Sequence, residues 1–393
     1  MFELRLTDAE RDFRDELREW LDRHLVGDFV RYKGAGGVCD DSHWEVRLDW
    51  ERKLAADRWL NITWPVEYGG RGGTKNQEII FQIEHARAEA PYWVGVHGRD
   101  LFGPTLLEYG TTEQKARFLP AIARADEFWG QGFSEPGAGS DLASLSTSAV
   151  RDGDEWVING QKIWMTFGAY ADWLYVLCRT NRDAPKHAGI SMLLVPADQP
   201  GVDVRPIRNI AGGREFCEVF FTDARTAKGL VVGEVDGAWR TVMATLGNER
   251  GGTTILPYQA SFSRELRQTV ALAHDRGLTD DPVMRQRLAA AYEGLYVLDC
   301  LSRRNVETAL GSGHPGPESS IQKIYWSRWH RDFGELMMDV RGPAGSVVGD
   351  DYTLDLMQAS FLNARAETIY GGTEQIQHTI VGERVLGLPR EPR

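Results

Sequence analysis

The chain has 393 residues, with 57 acidic against 45 basic side chains and a formal net charge of −12. This acidic balance argues against a nucleic-acid surface, which needs a basic patch. The sequence holds no apolar run of roughly 18 residues or more, so no membrane span is expected.

Length and cysteine usage restrict the class of protein further. A chain of this length can bury a large core and is expected to form two or three domains. The four cysteines are scattered and form no C-x-x-C pair, which predicts a reduced compartment and no structural metal. Residues 1–10 carry acids and lack an apolar signal segment, so we expect a cytoplasmic, bacterial protein.

The first third of the chain has the periodicity of α-helices. Thr7 and Glu10 form a capping box at the start of the first helix, and Thr112 with Lys115 is expected to open the fourth. The predicted helices are 7–25, 42–57, 76–90 and 111–125.

The pattern changes to short strands after Gly130. Asp-Gly and Asn-Gly pairs, which favour tight hairpins, are expected to connect the first three strands. About seven strands are predicted, at 147–151, 155–158, 161–164, 173–180, 190–196, 202–207 and 215–222.

Helical periodicity returns beyond Asp236 and continues to the end, which suggests a helical bundle. The predicted helices are 239–249, 260–278, 282–310, 319–340 and 361–386. The sequence therefore predicts an α+β, mostly α protein with three domains, at 1–128, 129–235 and 236–393.

Two motifs in the middle region are candidates for a cofactor site. Residues 131–141 read QGFSEPGAGSD, and such a Pro- and Gly-rich loop lets backbone N–H groups converge on a phosphate. Residues 159–166 read NGQKIWMT, where a flat indole beside a hydroxyl suits a planar heterocycle. A Gly-rich turn and a core tryptophan without any ligand would also explain this local pattern.

The combination of motifs resembles the acyl-CoA dehydrogenase family along essentially the whole chain. The matching segments, in order, are WPVEYGG at 64–70, SEPGAGSD at 134–141, NGQKIW at 159–164, LGNER at 246–250, IYGGTEQIQ at 369–377 and ERVLGLP at 383–389. The resemblance implies an N-terminal helical domain, a middle β-barrel-like domain and a C-terminal four-helix bundle.

The resemblance also implies bound FAD and an acyl-CoA substrate. The positions that match flavin contacts of the family are Gln131, Phe133, Ser134, Gly139, Ser140, Trp164, Thr166, Thr373 and Gln375. The positions expected to contact the thioester are Ser140, Arg250, Tyr370 and Gly371.

Family chemistry needs one buried glutamate to remove the α-proton of the thioester. Many members place it before the Gly-Thr of the C-terminal motif, but that position here is Gly371. The isovaleryl and long-chain types carry it on a helix before an arginine, which corresponds to Glu249 and Arg250. Glu367 and Glu374 are the local competitors, and a plain surface pair is the structural alternative.

Two motifs that bind the adenine half of FAD in the family are not evident, at 272–278 and 339–345. A homologous partner subunit could supply those contacts, as in the two-subunit enzymes of actinobacterial steroid degradation. A divergent homo-oligomer, dimer or tetramer, that uses other side chains would explain the departure equally well.

Three functions therefore stay open at the level of sequence. The first is a dehydrogenase that passes electrons to an electron-transfer flavoprotein, and the second is an acyl-CoA oxidase. The third is a subunit that completes another chain's site without chemistry of its own. Glu249 argues against a reduced-flavin monooxygenase, and the vacant Gly371-Gly372 predicts a branched, bulky or steroid acyl group.

Overall fold

The computed structural model describes residues 6–36, 40–249, 255–312 and 316–390. Helices come first, a β-sheet follows, and helices complete the chain. The exact domain boundaries, 1–128, 129–235 and 236–393, remain a prediction. Among the described residues, no helix is long and apolar enough to cross a membrane.

Six α-helices form the described N-terminal part, and local sequence signals define several of their ends. They are α1 (Asp8–His24), α2 (Asp28–Arg31), α3 (Trp44–Ala56), α4 (Lys75–Arg87), α5 (Gly103–Tyr109) and α6 (Thr112–Ala123). The capping box of Thr7 and Glu10 is confirmed. The expectation for α6 is wrong by one residue, because Thr111 is the N-cap and bonds reciprocally with Gln114.

A helical segment that the sequence analysis did not predict lies between α4 and α6. Residues His97–Phe102 form a π-helix that runs directly into α5. Glycines allow this segment to pack closely, because a Cβ at Gly98 or Gly103 would meet the ring of Trp129 or Trp64. A π-helix is rare and often marks a functional site.

The middle part is a single sheet with the strand order β6-β7-β3-β2-β4-β5-β8, and β1 pairs in parallel with β4. The strands are β1 (Trp129–Gly132), β2 (Ser148–Asp152), β3 (Glu155–Thr166), β4 (Trp173–Arg179), β5 (Ile190–Pro196), β6 (Val202–Ile207), β7 (Phe216–Ala227) and β8 (Val231–Val232). In the described part, β1 and β8 were not predicted, and the strands predicted at 155–158 and 161–164 are one strand, β3.

The hairpin predicted at Asn159-Gly160 is wrong. Residues on both sides belong to one strand, β3, and Gly160 lies at a shift in its register with β7. Gly160 has a φ of 149°, and a Cβ there would come within 2.7 Å of the Cα of Thr147. The glycine therefore permits a bulge and a close strand contact rather than a chain reversal.

The C-terminal part is a bundle in which α10 packs against α8, α9, α11 and α12. Its helices are α7 (Trp239–Glu249), α8 (Ile255–Asp275), α9 (Pro282–Ser312), α10 (Ser319–Arg341), α11 (Leu356–Glu367) and α12 (Glu374–Ile380).

The single helix predicted at 361–386 is wrong, because the chain turns between α11 and α12. Gly371 and Gly372 have φ values of 63° and 88° in this turn, a conformation that continues no helix. Thr373 then caps α12 by accepting a hydrogen bond from the Ile376 amide.

The largest hydrophobic cluster joins the three parts. Phe102 and Leu106 of the N-terminal part pack with Tyr175 of the sheet and with Val242 of α7. Helix α7 is therefore fixed against both the sheet and the π-helix, which determines where its C-terminal end lies.

Candidate active site

The structure places the two middle-domain motifs side by side. The Ile163 amide donates to the Ser134 carbonyl at 3.0 Å, and Lys162 Nζ donates to the Phe133 carbonyl at 3.1 Å. Gln131, Phe133 and Ser134, on β1 and the loop after it, thus meet the end of β3, which carries Trp164 and Thr166.

A buried ion pair, which sequence reasoning missed, holds the two motifs together. Lys162 is 0 % exposed, and its ammonium lies 2.8 Å from Glu135 Oε1. Glu135 also accepts from the amide and hydroxyl of Ser146 at 2.7 and 2.8 Å and from the Thr147 amide at 2.9 Å. Burial alone raises the pKa of Glu135, but Lys162 and these hydrogen bonds lower it to about 2.

The loop at 135–139 is a tight turn. The amides of Glu135 and Ala138 each donate to the other's carbonyl, at 3.1 and 3.0 Å. These two amides are therefore already used, in contrast to the expected cluster of convergent N–H groups. Gly137 and Gly139 are exposed with open space around them, so a ligand can approach their backbone closely.

Trp164 presents an open aromatic surface beside this loop. Its side chain is 58 % exposed, and its backbone has a φ of 63°. That conformation is unfavourable for an aromatic residue and commonly occurs at ligand sites. It coincides with a register shift between β3 and β7, which turns the indole outward. Thr166, two residues on, is buried.

Glu215, directly before β7, carries a second carboxylate near this surface. Its position before a strand gave no reason in the sequence to expect a functional role. Glu215 is buried, and its carbonyl accepts from the Phe167 amide at 2.6 Å. Burial raises the pKa of Glu215 to about 7, although Asn209 donates to Oε1 at 2.6 Å. Glu215 therefore has to be considered beside Glu249 as a proton acceptor.

The predicted C-terminal residues form a separate group in this structure. Tyr370 and Gly371 lie in the turn between α11 and α12, and Thr373 caps α12. Gln375 is exposed in the first turn of that helix. Thr373 and Gln375 accept hydrogen bonds from Ile376 and Thr379 of α12, and these contacts do not bring them to Trp164.

The predicted base lies at the limit of what the structure describes. Helix α7 ends at Glu249, but the Glu249 side chain and Arg250 lie outside the described residues. The helix itself is well placed, because the buried hydroxyls of Thr105 and Thr245 are 3.0 Å apart. Its end therefore lies beside the π-helix.

Both local competitors of Glu249 are engaged in ion pairs. Glu367 lies 2.8 Å from Nδ1 of the buried His330, whose Nε2 is 2.8 Å from Glu265. Glu374 bonds Arg328, and this contact lowers the pKa of Glu374. Neither carboxylate is suited to removing a weakly acidic proton.

The fold and this site define a class of protein. A loop bonded to the strand that carries an exposed indole, between helical parts on both sides, suits an oxidoreductase that holds a planar redox cofactor. Models of the N-terminal, middle and C-terminal domains of acyl-CoA dehydrogenases match residues 7–126, 130–224 and 236–386. The chain belongs to the acyl-CoA dehydrogenase family, whose members are FAD-dependent oxidoreductases.

Individual relatives match along nearly their whole length. The chain is 46 % identical over 392 residues to acyl-CoA dehydrogenase IpdE1 of Mycolicibacterium smegmatis, covering 97 % of this chain and 98 % of IpdE1. It is similar to the solved structure of the Tcur3481-Tcur3483 steroid ACAD, with a TM-score of 0.84 and 32 % identity. This match covers 99 % of this chain and 100 % of the chain in that structure. The chain is also similar to the structure of the ChsE4-ChsE5 complex from Mycobacterium tuberculosis, with a TM-score of 0.81 and 31 % identity. The match covers 99 % of this chain and 100 % of that chain.

Proposed function

We propose that this chain is the catalytic subunit of an FAD-dependent acyl-CoA dehydrogenase that converts an acyl-CoA to the trans-2-enoyl-CoA. The observation that carries the proposal is the outward-turned Trp164 on the strand that the Lys162–Glu135 pair joins to the Ser134 loop. An exposed indole on a strained backbone needs a ligand surface to justify it.

The residues present fit FAD. The proposed contacts are Gln131, Phe133, Ser134, Gly139, Ser140, Trp164 and Thr166, with Thr373 and Gln375 from the C-terminal turn. Trp164 offers a flat apolar face, the hydroxyls offer hydrogen bonds, and Gly139 leaves room for close approach. When bound, the flavin supplies the acceptor for the hydride that leaves Cβ.

Glu249 is the proposed base that removes the α-proton. Glu367 and Glu374 are engaged by His330 and Arg328, and helix α7 packs beside the π-helix. Arg250, Tyr370, Gly371 and Ser140 are proposed to contact the thioester, where donors stabilise the enolate-like charge. Gly371 has no side chain at the position where many members of the family carry the base, which is proposed to leave space for a branched or polycyclic acyl group.

The decisive experiment compares Glu249→Gln with Glu215→Gln. Both variants are purified with bound FAD and mixed anaerobically with acyl-CoA while flavin absorbance is followed. We expect Glu249→Gln to retain FAD and thioester binding and to slow flavin bleaching by about 10³-fold or more. Glu215→Gln should bleach at close to the parent rate. The reverse result would assign the base to Glu215.

A homologous partner subunit is the second part of the proposal. Helix α9 exposes large apolar side chains, namely Val283, Tyr292, Tyr296 and Val297, which suits a subunit contact better than solvent. Two similar solved structures are titled as pairs of different chains, Tcur3481-Tcur3483 and ChsE4-ChsE5. The partner would complete the adenine half of the FAD site.

The assembly is tested by purifying the chain alone and together with a co-encoded homologue. A yellow heterotetramer that forms only on co-expression, with colourless separate chains, supports the heteromer. A yellow homodimer or homotetramer of this chain alone supports the homo-oligomer. An electron-transfer flavoprotein is the proposed electron acceptor, and rapid reoxidation by oxygen alone would instead indicate an oxidase.

A further inference from the structure

We infer that Lys323 of α10 is a positioning residue for the reaction, because it fixes the 368–373 turn that carries the proposed thioester contacts Tyr370 and Gly371. This inference rests on the proposed function and extends it to a residue that acts through the turn. The Lys323 ammonium contacts Glu367, which directly precedes the turn, and Tyr370 within it.

The Lys323 ammonium caps the C-terminal end of helix α11. This helix ends at Glu367, and the last carbonyls of a helix have no partner within it. Lys323 Nζ donates to the Glu367 carbonyl. A cation at this position is also attracted to the partial negative charge at a helix C-terminus. Lys323 therefore holds the point at which the helix stops and the turn begins.

The same ammonium lies against the turn itself. It is 4.9 Å from the centre of the Tyr370 ring and 4.2 Å from the centre of the Trp326 ring. At these distances a cation is attracted to an aromatic face. Trp326 is buried on the same helix as Lys323, so the Tyr370 ring is held against α10.

His330 fixes the same end of α11 through the side chain of Glu367. Lys323 and His330 are close to two turns apart on α10, so both side chains leave the same face of that helix. Nδ1 of the buried His330 lies 2.8 Å from Glu367 Oε2. Since α10 engages both the carbonyl and the carboxylate of Glu367, a displacement of this residue would break two contacts.

Helix α12 fixes the far side of the turn. Gln377 is buried, and its Nε2 donates to the carbonyls of Gly371 and Gly372 at 3.2 and 3.3 Å. A Cβ at Gly372 would come within 2.4 Å of this nitrogen, so the glycine permits the close approach. The turn is therefore held from both sides, by Lys323 and by Gln377.

The aromatic residues beside Tyr370 link the turn to the chain that follows the proposed base. Trp326 stacks on Tyr258 of α8 with 5.2 Å between the ring centres, and Tyr370 packs against the same cluster. Only residues 250–254 separate the first residue of α8, Ile255, from the proposed base. A misplacement of about 1 Å can slow a reaction by about 10²-fold, so the position of the turn relative to this helix affects the rate.

The test separates flavin reduction from substrate binding. Lys323→Met is prepared as holoenzyme in excess FAD, with its partner subunit if one is needed, and mixed anaerobically with an acyl-CoA that bleaches the parent. At saturating thioester, we expect bleaching to be slower by about tenfold or more. KM should stay within about threefold, because groups remote from the reacting carbons supply much of the binding. Lys323→Arg retains a cation and a donor and should recover most of the rate.

A double-variant cycle tests whether Lys323 acts through the turn. Tyr370→Leu should also slow bleaching at saturating thioester. Combining it with Lys323→Met should slow bleaching little further, because both substitutions disturb the same contact. Effects that multiply in the double variant overturn the inference.

Arg331→Met is the matched control, because Arg331 is a cation of the same helix that pairs with Asp332. It should bleach at the parental rate. Parental bleaching in Lys323→Met overturns the inference, and so does a loss confined to Tm or KM.

A second variant covers a failure of Lys323→Met to fold. Lys323→Gln, which keeps a neutral donor, then takes its place in the cycle. Failure of both variants to fold assigns Lys323 a purely structural role and also overturns the inference. A parent protein that no thioester bleaches would instead refute the proposed function.

Discussion

Removing the charge of Glu135 tests whether the buried pair organises the cofactor loop. In Glu135→Gln, the Lys162 ammonium stays buried and loses its counter-ion, while the hydrogen bonds from Ser146 and Thr147 become weaker. The amide can still occupy the same volume. The substitution therefore isolates charge from packing.

The expected loss of folding stability follows from the pKa of Glu135. A shift from 4.5 in the unfolded chain to about 2 in the folded protein corresponds to about 3 kcal/mol of stability. Since the folded pKa is the lower one, this contribution is present above pH 4.5 and is lost as the pH falls toward 2. Breaking a buried pair by removing one member costs a comparable amount, about 3–5 kcal/mol.

Thermal unfolding and FAD retention are the assays. At pH 7, Glu135→Gln should lower the Tm by roughly 4 °C if the chain melts as one unit, and more if the sheet melts alone. FAD should be lost more readily on gel filtration, because the 133–140 loop is no longer held against β3.

Glu155→Gln is the matched control, on the strand β3 that also carries Lys162. Glu155 pairs with Arg225 on the surface, where an ion pair contributes only about 0–1 kcal/mol. Equal effects of the two substitutions, or a Glu135→Gln protein with parental Tm and parental FAD content, would refute the reasoning.

Two further substitutions test the indole and the buried histidine. Trp164→Ala should weaken FAD binding at least about tenfold in fluorescence titration without lowering the Tm of the FAD-free protein, because the side chain is exposed; undiminished affinity would remove Trp164 from the site. Burial alone lowers the pKa of His330, but Glu367 and Glu265 raise it to about 10. The stability that the charged His330 ring confers through these two carboxylates is therefore complete below pH 6.5. It declines as the pH rises through about 10. Urea midpoints measured over this range should fall in the parent and less in His330→Gln, and equal slopes would contradict the assignment.

Local signals in the sequence determined much of the secondary structure. The Thr7–Glu10 capping box acts across three residues and is present as expected. The hairpin between β2 and β3 closes at Asp152 and Glu155, and Gly153, with a φ of 61°, lies in the two-residue turn. The order of helical, sheet and helical parts is confirmed, because hydrophobic periodicity needs no knowledge of distant contacts.

Tertiary contacts overrode local sequence signals at two dipeptides, Asn159-Gly160 and Gly371-Gly372. Asn159-Gly160 favours a turn in isolation, but pairing with β7 and the close approach of Thr147 keep the strand continuous. Gly371-Gly372 lies in a segment of helical pattern, yet both residues adopt positive φ in the turn that separates α11 from α12. A glycine permits both outcomes, and its neighbours in space select one.

The site shows the same division between sequence and structure. The motifs around Ser134 and Trp164 could be identified in the sequence, and the family they indicate is shown; the roles of the individual residues remain predictions. The pairing of Glu135 with Lys162 across 27 residues and the burial of Glu215 could not be predicted. Desolvation and charge pairing depend on which distant atoms surround a group, and only the tertiary structure decides that.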